Sequence, residues 1–298
     1  MRYLDAVVRE YGGAATRQQL IAAGADGYDI THAVRSGAIE RVRQARYITC
    51  DTPHEIRVAA RVGGMLAGVS AARTYGLWGG FTKTIHLAVP RNAARLRTAT
   101  PPSFSDTMWS DRPRARVQIH WLTSIRIEVP GQECWRVPLG TCLRQVARWS
   151  DRETALACLD TAISSGRIRE SDLPRALSEE AAPWRFLARL ASGGSESGPE
   201  SLVVRRLSAL GVAIDQQVRI VGVGRVDMVV RGTRIVIEVD GRTYHEDPAA
   251  FEEDRRRDAE LVARGYVVIR LSYLRVATDW PWCQRIVLAA IARVSAQV

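Results

Sequence analysis

The chain has 298 residues, of which 46% are hydrophobic and 25% charged, enough for two or three domains with their own cores and ordinary for a soluble globular protein. No apolar run approaches the ~20 residues of a membrane span, and Met1-Arg2-Tyr3-Leu4-Asp5 starts no secretion signal, so the expected location is the cytoplasm. The formal charge of +10 suits a polyanion such as DNA, although a bias to arginine, with Lys83 the one lysine, raises that figure whatever the function.

At the N-terminus Tyr3, Leu4, Val7, Val8 and Tyr11 fall at helical spacing, and Gly12-Gly13 ends that helix. A second helix begins at Thr16, where T-R-Q-Q forms a capping box with Gln19, and stops at Gly24. A third, over residues 28–36, closes at Gly37 and leads into I-E-R-V-R-Q-A-R-Y-I, two alternating strands about a tight turn. Three short helices followed by a hairpin predict a winged helix-turn-helix over residues 1–50. Arg35, Arg41, Arg43 and Arg46 would line its third helix and wing, where DNA phosphates are met. Such units also mediate protein contacts. The segment resembles the N-terminal domain of AbiEi-type antitoxins through Arg43-Gln44-Ala45-Arg46-Tyr47, and that resemblance implies a possible cognate toxin or defence partner.

Residues 51–190 read as an α+β middle domain. Helices are expected over 54–65, from a cap at Ser70 to Gly76, over 141–149 and over 154–164, and strands over 85–89, 117–122 and 125–129. Residues 91–114, rich in Pro, Arg and Ser, read as a surface connection. This part resembles the antitoxin family less closely, since Thr141-Cys142 stands where that family carries Arg-Thr. His54, His86 and His120 have no partner at metal spacing, and the five cysteines are odd in number and scattered, which points to free thiols rather than zinc or disulfides.

Residues 191–199, A-S-G-G-S-E-S-G-P, read as a Gly/Ser linker. The last domain, 200–298, opens with a helix that has Glu200 in its first turn, followed by a strand through Gln216, Gln217, Val218 and Ile220. For Gln217 an ordinary strand-face amide and a contact to reactive water are both open. The stretch from Arg225 to His245 then forms a hairpin carrying acids: Asp227 on the first strand, Glu238 and Asp240 on the second. Residues two apart share a strand face, so Glu238 and Asp240 project together and the hairpin brings Asp227 alongside. Clustered carboxylates repel and raise each other's pKa unless a cation neutralises them, and Mg²⁺ (or Mn²⁺) suits an oxygen-only set. The competing reading is a solvated hairpin whose acids pair with arginines. A helix over 251–264, a strand over 266–271 and a closing helix over 282–294 complete a mixed sheet flanked by helices.

The order V-D-M, I-E-V-D-G-R-T-Y-H, D-R-R-R-D and G-Y-V-V-I-R resembles the PD-(D/E)xK nuclease superfamily, and within it the domains related to very-short-patch repair endonucleases. The resemblance implies a restriction-endonuclease-like α/β domain in an α+β multidomain protein. It also implies metal binding by Asp227 with Glu238 or Asp240, assistance to water attack by His245, support from Glu200 on the preceding helix, and a contact to the acids or a phosphate from Arg257. One departure stands out: Asp240 occupies the position of the superfamily lysine, a lysine the very-short-patch branch also lacks. The expected function is Mg²⁺-dependent DNA endonuclease, in phage defence or DNA repair, with a homodimer among the possible assemblies. The alternative is an antitoxin-like DNA-binding regulator whose nuclease-like domain is inactive.

Overall fold

A computed structural model describes residues 4–94, 96–97, 116–123, 133–240 and 248–296, with side chains of the last span from residue 252 onward. The chain forms two compact units, Met1–Ser150 and Asp151–Val298.

The first unit begins with α1 (Leu4–Glu10), β1 (Ala14–Thr16), α2 (Arg17–Ala22), α3 (Gly27–Arg35), β2 (Glu40–Arg43) and β3 (Arg46–Ile48). The strands form an antiparallel sheet in the order β1-β3-β2, turned at Ala45 with φ of 58°. Helix α2 carries the expected capping box: Gln19 N donates to Thr16 Oγ1 at 3.1 Å, and Thr16 N donates to Gln19 Oε1 at 2.8 Å. Asp26 and Asp29 make a second such box at the start of α3. Val7, Val8, Leu20, Ile30, Ile39 and Tyr47 form the core beneath.

There follow α4 (His54–Val62), β4 (Met65–Leu66), α5 (Gly68–Thr74), β5 (Ile85–Pro90), β6 (Val117–Leu122) and α6 (Leu139–Trp149), with β4-β5-β6 as a second sheet. Ser70 does not cap α5 but lies inside it, because the helix starts at Gly68, whose N–H is satisfied by Gln145 Oε1 at 3.0 Å. The expected strand at 125–129 and residues 98–114 of the connection lie outside the described residues.

The second unit contains α7 (Arg152–Ser164), α8 (Leu173–Ala176), α9 (Ala182–Leu190), α10 (Gly198–Ser208), β7 (Ile214–Ile220), β8 (Gly224–Val230), β9 (Ile235–Asp240), α11 (Pro248–Ala263), β10 (Val267–Ser272), α12 (Tyr273–Thr278) and α13 (Trp280–Ser295). Its sheet runs β10-β9-β8-β7, antiparallel except for β9 and β10. A parallel pair needs a crossover, which α11 supplies. Strand β9 lies inside the sheet, and Ile235, Val236 and Ile237 are all buried, which accounts for an unbroken β-branched run.

The Gly/Ser stretch 191–199 lies within the second unit, not between units, and it is packed. Ser195 is 2% exposed and accepts from Gln216 Nε2 at 2.6 Å, while Ser192 N donates to Asp160 Oδ1 of α7 at 2.8 Å. Its glycines serve close approach rather than freedom, since a Cβ on Gly194 would stand 2.5 Å from Gln216 Oε1. Asp160 also accepts from Ser201 Oγ and Arg205 Nη2, both at 2.6 Å, and so ties α7 to α10. No helix among the described residues is long and apolar enough to cross a membrane.

Candidate active site

Strands β8 and β9 pair Met228 with Ile237 and Val229 with Val236. Continued by one residue, that register sets Asp227 opposite Glu238, and opposite residues of an antiparallel pair share a face. Asp227 Oδ2 accepts from Val239 N at 3.0 Å, which holds the two strand ends together where the ladder stops. Glu200, in the first turn of α10, has its backbone N–H capped by Ser197 Oγ. Its Oε2 accepts from Glu196 N at 2.9 Å and from Gln217 Nε2 at 3.2 Å. Glu200 and Glu238 are each 7% exposed, an unusual setting for carboxylates.

Burial is the first cause that raises the pKa of Glu200, Asp227 and Glu238, because the charged form loses hydration. Hydrogen bonds oppose it at Glu200 and Asp227, from Ser197 and from the Val239 N–H respectively, and Arg270 and Arg257 oppose it at Glu238. The negative charge of Asp227 raises both Glu200 and Glu238, so these three acids form one electrostatic group with Asp227 in the middle.

Asp240 is held differently. It projects beside Glu238, as strand periodicity requires, but it is exposed and pairs with Arg270 at 3.1 Å. Arg270 of β10, paired in register with Glu238, also reaches Glu238 at 3.0 Å and Asp258 at 2.8 Å. Burial works against the Arg270 charge, yet Asp258, Glu238 and Asp240 together keep its pKa above the ordinary arginine value. Arg257 of α11 lies 3.3 Å from Glu238 and donates to the Arg225 carbonyl at 2.7 Å. Among the described residues no three His, Cys, Asp or Glu side chains converge on one metal-sized position. His245 lies outside the described residues.

Two participants show features beyond the sequence pattern, Gln217 among them as a residue for which a strand-face amide and a contact to reactive water are both open in the sequence. Arg270 is the final residue of G-Y-V-V-I-R, and its partners become visible only through the parallel register. Gln217 has φ of 51° and a buried Oε1 that lacks a hydrogen-bond partner. Nothing in the local residue pattern announces either feature.

The N-terminal arginines separate into two kinds. Arg35 and Arg41 are exposed. Arg46 is 7% exposed and donates to the Cys134 carbonyl at 3.3 Å, and half-buried Arg43 donates to the carbonyls of Val62 and Ala94. For Arg46 the expectation of a phosphate contact is thereby corrected, since its guanidinium is buried on a main-chain carbonyl, whereas Arg43 is engaged by carbonyls but remains partly exposed. Burial and the neighbouring Arg46 and Arg97 also lower the Arg43 pKa. Two of the histidines meet in the fold. His86 Nδ1 and His120 Nε2 lie 3.0 Å apart, with His120 stacked on Trp149, because parallel β5 and β6 bring together residues far apart in the chain. Burial, followed by the His86 charge, lowers the His120 pKa to about 4.

Two proteins of Mycobacterium tuberculosis, "Uncharacterized protein MT2308" of strain CDC 1551 / Oshkosh and "Uncharacterized protein Rv2248" of strain H37Rv, are each 28% identical to this chain over 168 residues. The match covers 53% of this chain and 62% of each relative, so the chain spans less than two thirds of their length. A solved structure, the homing endonuclease I-Bth0305I catalytic domain, is 23% identical and covers 30% of this chain and 88% of its own, with a TM-score of 0.26. Residues 200–291 match the restriction-endonuclease-like family REase_MTES_1575, and on that match the C-terminal part of the chain is nuclease-like.

Proposed function

We propose that the chain is a metal-dependent DNA endonuclease whose second unit hydrolyses phosphodiester bonds and whose first unit contributes to DNA binding. The observation that carries the reading is the buried, mutually coupled group of Glu200, Asp227 and Glu238 within the segment that matches a nuclease family. Carboxylates kept dehydrated at a net cost are characteristic of sites that await a cation or a proton.

The residues suit Mg²⁺ on two grounds. The carboxylates offer only oxygen donors, and Glu200, Asp227 and Glu238 are buried acids whose mutual repulsion a cation would relieve. Mg²⁺ needs only one or two protein carboxylates and keeps waters besides, so a convergence of three acids is not required. Asp227 and Glu238 would hold it. When bound, the ion polarises phosphate and eases ionisation of water. Glu200 supports the group through Gln217, Arg257 orients Glu238, and Asp240 steadies Arg270 against the sheet. His245 is assigned the proton from the attacking water, in keeping with the resemblance. Exposed Arg35 and Arg41 are assigned to DNA phosphates, as in a winged-helix reader.

A second reading has one observation in its favour: Arg257 and Arg270 both lie on Glu238 and could neutralise it without any cation. That suits a DNA-binding regulator with an inactive nuclease-like domain, in the manner of an antitoxin. Supercoiled plasmid incubated with the purified chain and Mg²⁺ or Mn²⁺, then repeated with chelator, separates the two. Chelator-sensitive nicking or linearisation supports the enzyme, and intact plasmid with retained DNA binding supports the regulator.

A further inference from the structure

Gln217 departs from its strand in two independent ways. Its φ of 51° lies in the left-handed region, which non-glycine residues seldom enter and which concentrates at functional sites. The β7–β8 ladder pairs Gln216 with Met228 and Val218 with Val226 but skips the position between, so Gln217 stands opposite Asp227 at a break in the ladder. The side chain is equally unusual. Nε2 donates to Glu200 Oε2 at 3.2 Å, while Oε1 is buried and has no partner. A carboxylate accepts and does not donate, so Glu200 fixes which end of the amide faces it and leaves the acceptor end turned away.

A structural amide satisfies both ends or leaves the spare one in water. Neighbouring Gln216 behaves that way, donating to Ser195 Oγ at 2.6 Å. Gln217 instead buries an acceptor that no group among the described residues satisfies, opposite the acid at the centre of the electrostatic group, which is where a bound water or ligand is called for.

We propose that Gln217 is a positioning residue for the attacking water. This inference rests on the nuclease reading above. Oε1 accepts one hydrogen bond from a water beside Asp227, and Glu200 holds the amide in the orientation that allows it. In the reaction the water oxygen bonds to phosphorus as the bond from phosphorus to the leaving oxygen breaks. One water proton passes to the base, the other stays on the new phosphate oxygen, and the leaving oxygen takes a proton from solvent, so Gln217 makes and breaks no covalent bond. Its contribution is the direction of attack.

The test uses the full chain with Gln217→Leu, which removes the acceptor at similar size, and Gln217→Asn, which tolerates left-handed backbone but falls short. The readouts are plasmid cleavage with Mn²⁺, resolved into kcat and KM, and melting temperature without metal. Both variants should lose kcat by about tenfold or more, with KM for DNA within about twofold. The metal-free melting temperature should change little, because Gln217→Leu loses the donor to Glu200 together with the spare acceptor and Gln217→Asn keeps an amide, so the loss is read in kcat per folded molecule. A normal kcat in both variants beside an active wild type would overturn the positioning role and leave the nuclease reading standing. A fall in melting temperature with kcat per folded molecule intact would overturn it equally, in favour of a structural amide. A wild type that neither cleaves nor changes its melting temperature with Mn²⁺ would remove the nuclease reading, and this inference with it.

Discussion

At the scale of single residues, the site consists of carboxylates held where water cannot fully reach them. Because burial raises the Asp227 pKa above its ordinary 3.8, the folded state favours the protonated acid. The contribution to stability is therefore fully present below pH 3.8 and is lost as the pH rises through the higher folded value. Asp227→Asn, which can still accept from Val239 N, should gain about 1 kcal/mol at neutral pH, and that gain should vanish in acid. Melting curves of both proteins from pH 3 to pH 8 check this; a gain independent of pH would refute the burial argument. Arg46 supplies the opposite case, a buried donor used for structure. Arg46→Ala should cost about 1–3 kcal/mol by leaving the Cys134 carbonyl unpaired. Denaturant unfolding measures that cost.

At the scale of elements, the strands and helices of the second unit were largely legible. The alternation at Val226, Met228 and Val230 and the run from Ile235 to Val239 locate the hairpin, and Glu200 was legible as a first-turn acid of α10. What remained hidden depends on register or on three-dimensional packing. Arg270 reaches Glu238 only because β10 is parallel to β9, and Gln217 leaves the strand conformation for reasons that residue type does not encode. The Gly/Ser stretch shows the same limit: its composition suggests flexibility, while its small side chains permit tight packing against α7 and β7. Asp160, on the far side of that stretch, is the partner of Arg205 and Ser201 in α10. A fragment of residues 151–298 should consequently fold on its own, whereas one starting at residue 192 should lose about 3–5 kcal/mol from the broken buried pair. Circular dichroism and thermal melting of the two fragments decide this, and equal stability would show that α7 is dispensable.

At the scale of the whole molecule, the proposed function gives the two units separate tasks. Arg35→Ala with Arg41→Ala should weaken DNA binding and reduce the magnitude of the salt-dependence slope by about 2, one phosphate contact per arginine. The same double variant should leave metal-dependent melting shifts of the second unit unchanged. Binding titrations across a salt series test the first statement, and an unaltered slope would assign DNA contact elsewhere.

The central claim, that the acids of the second unit hydrolyse DNA, is tested most directly by plasmid cleavage with wild type, Asp227→Asn and Glu238→Ala side by side, in Mg²⁺ and in chelator. The account predicts nicked or linear DNA from the wild type in Mg²⁺ alone, and none from either variant although both still bind DNA. Intact plasmid from the wild type, or cleavage that persists in both variants, would contradict it.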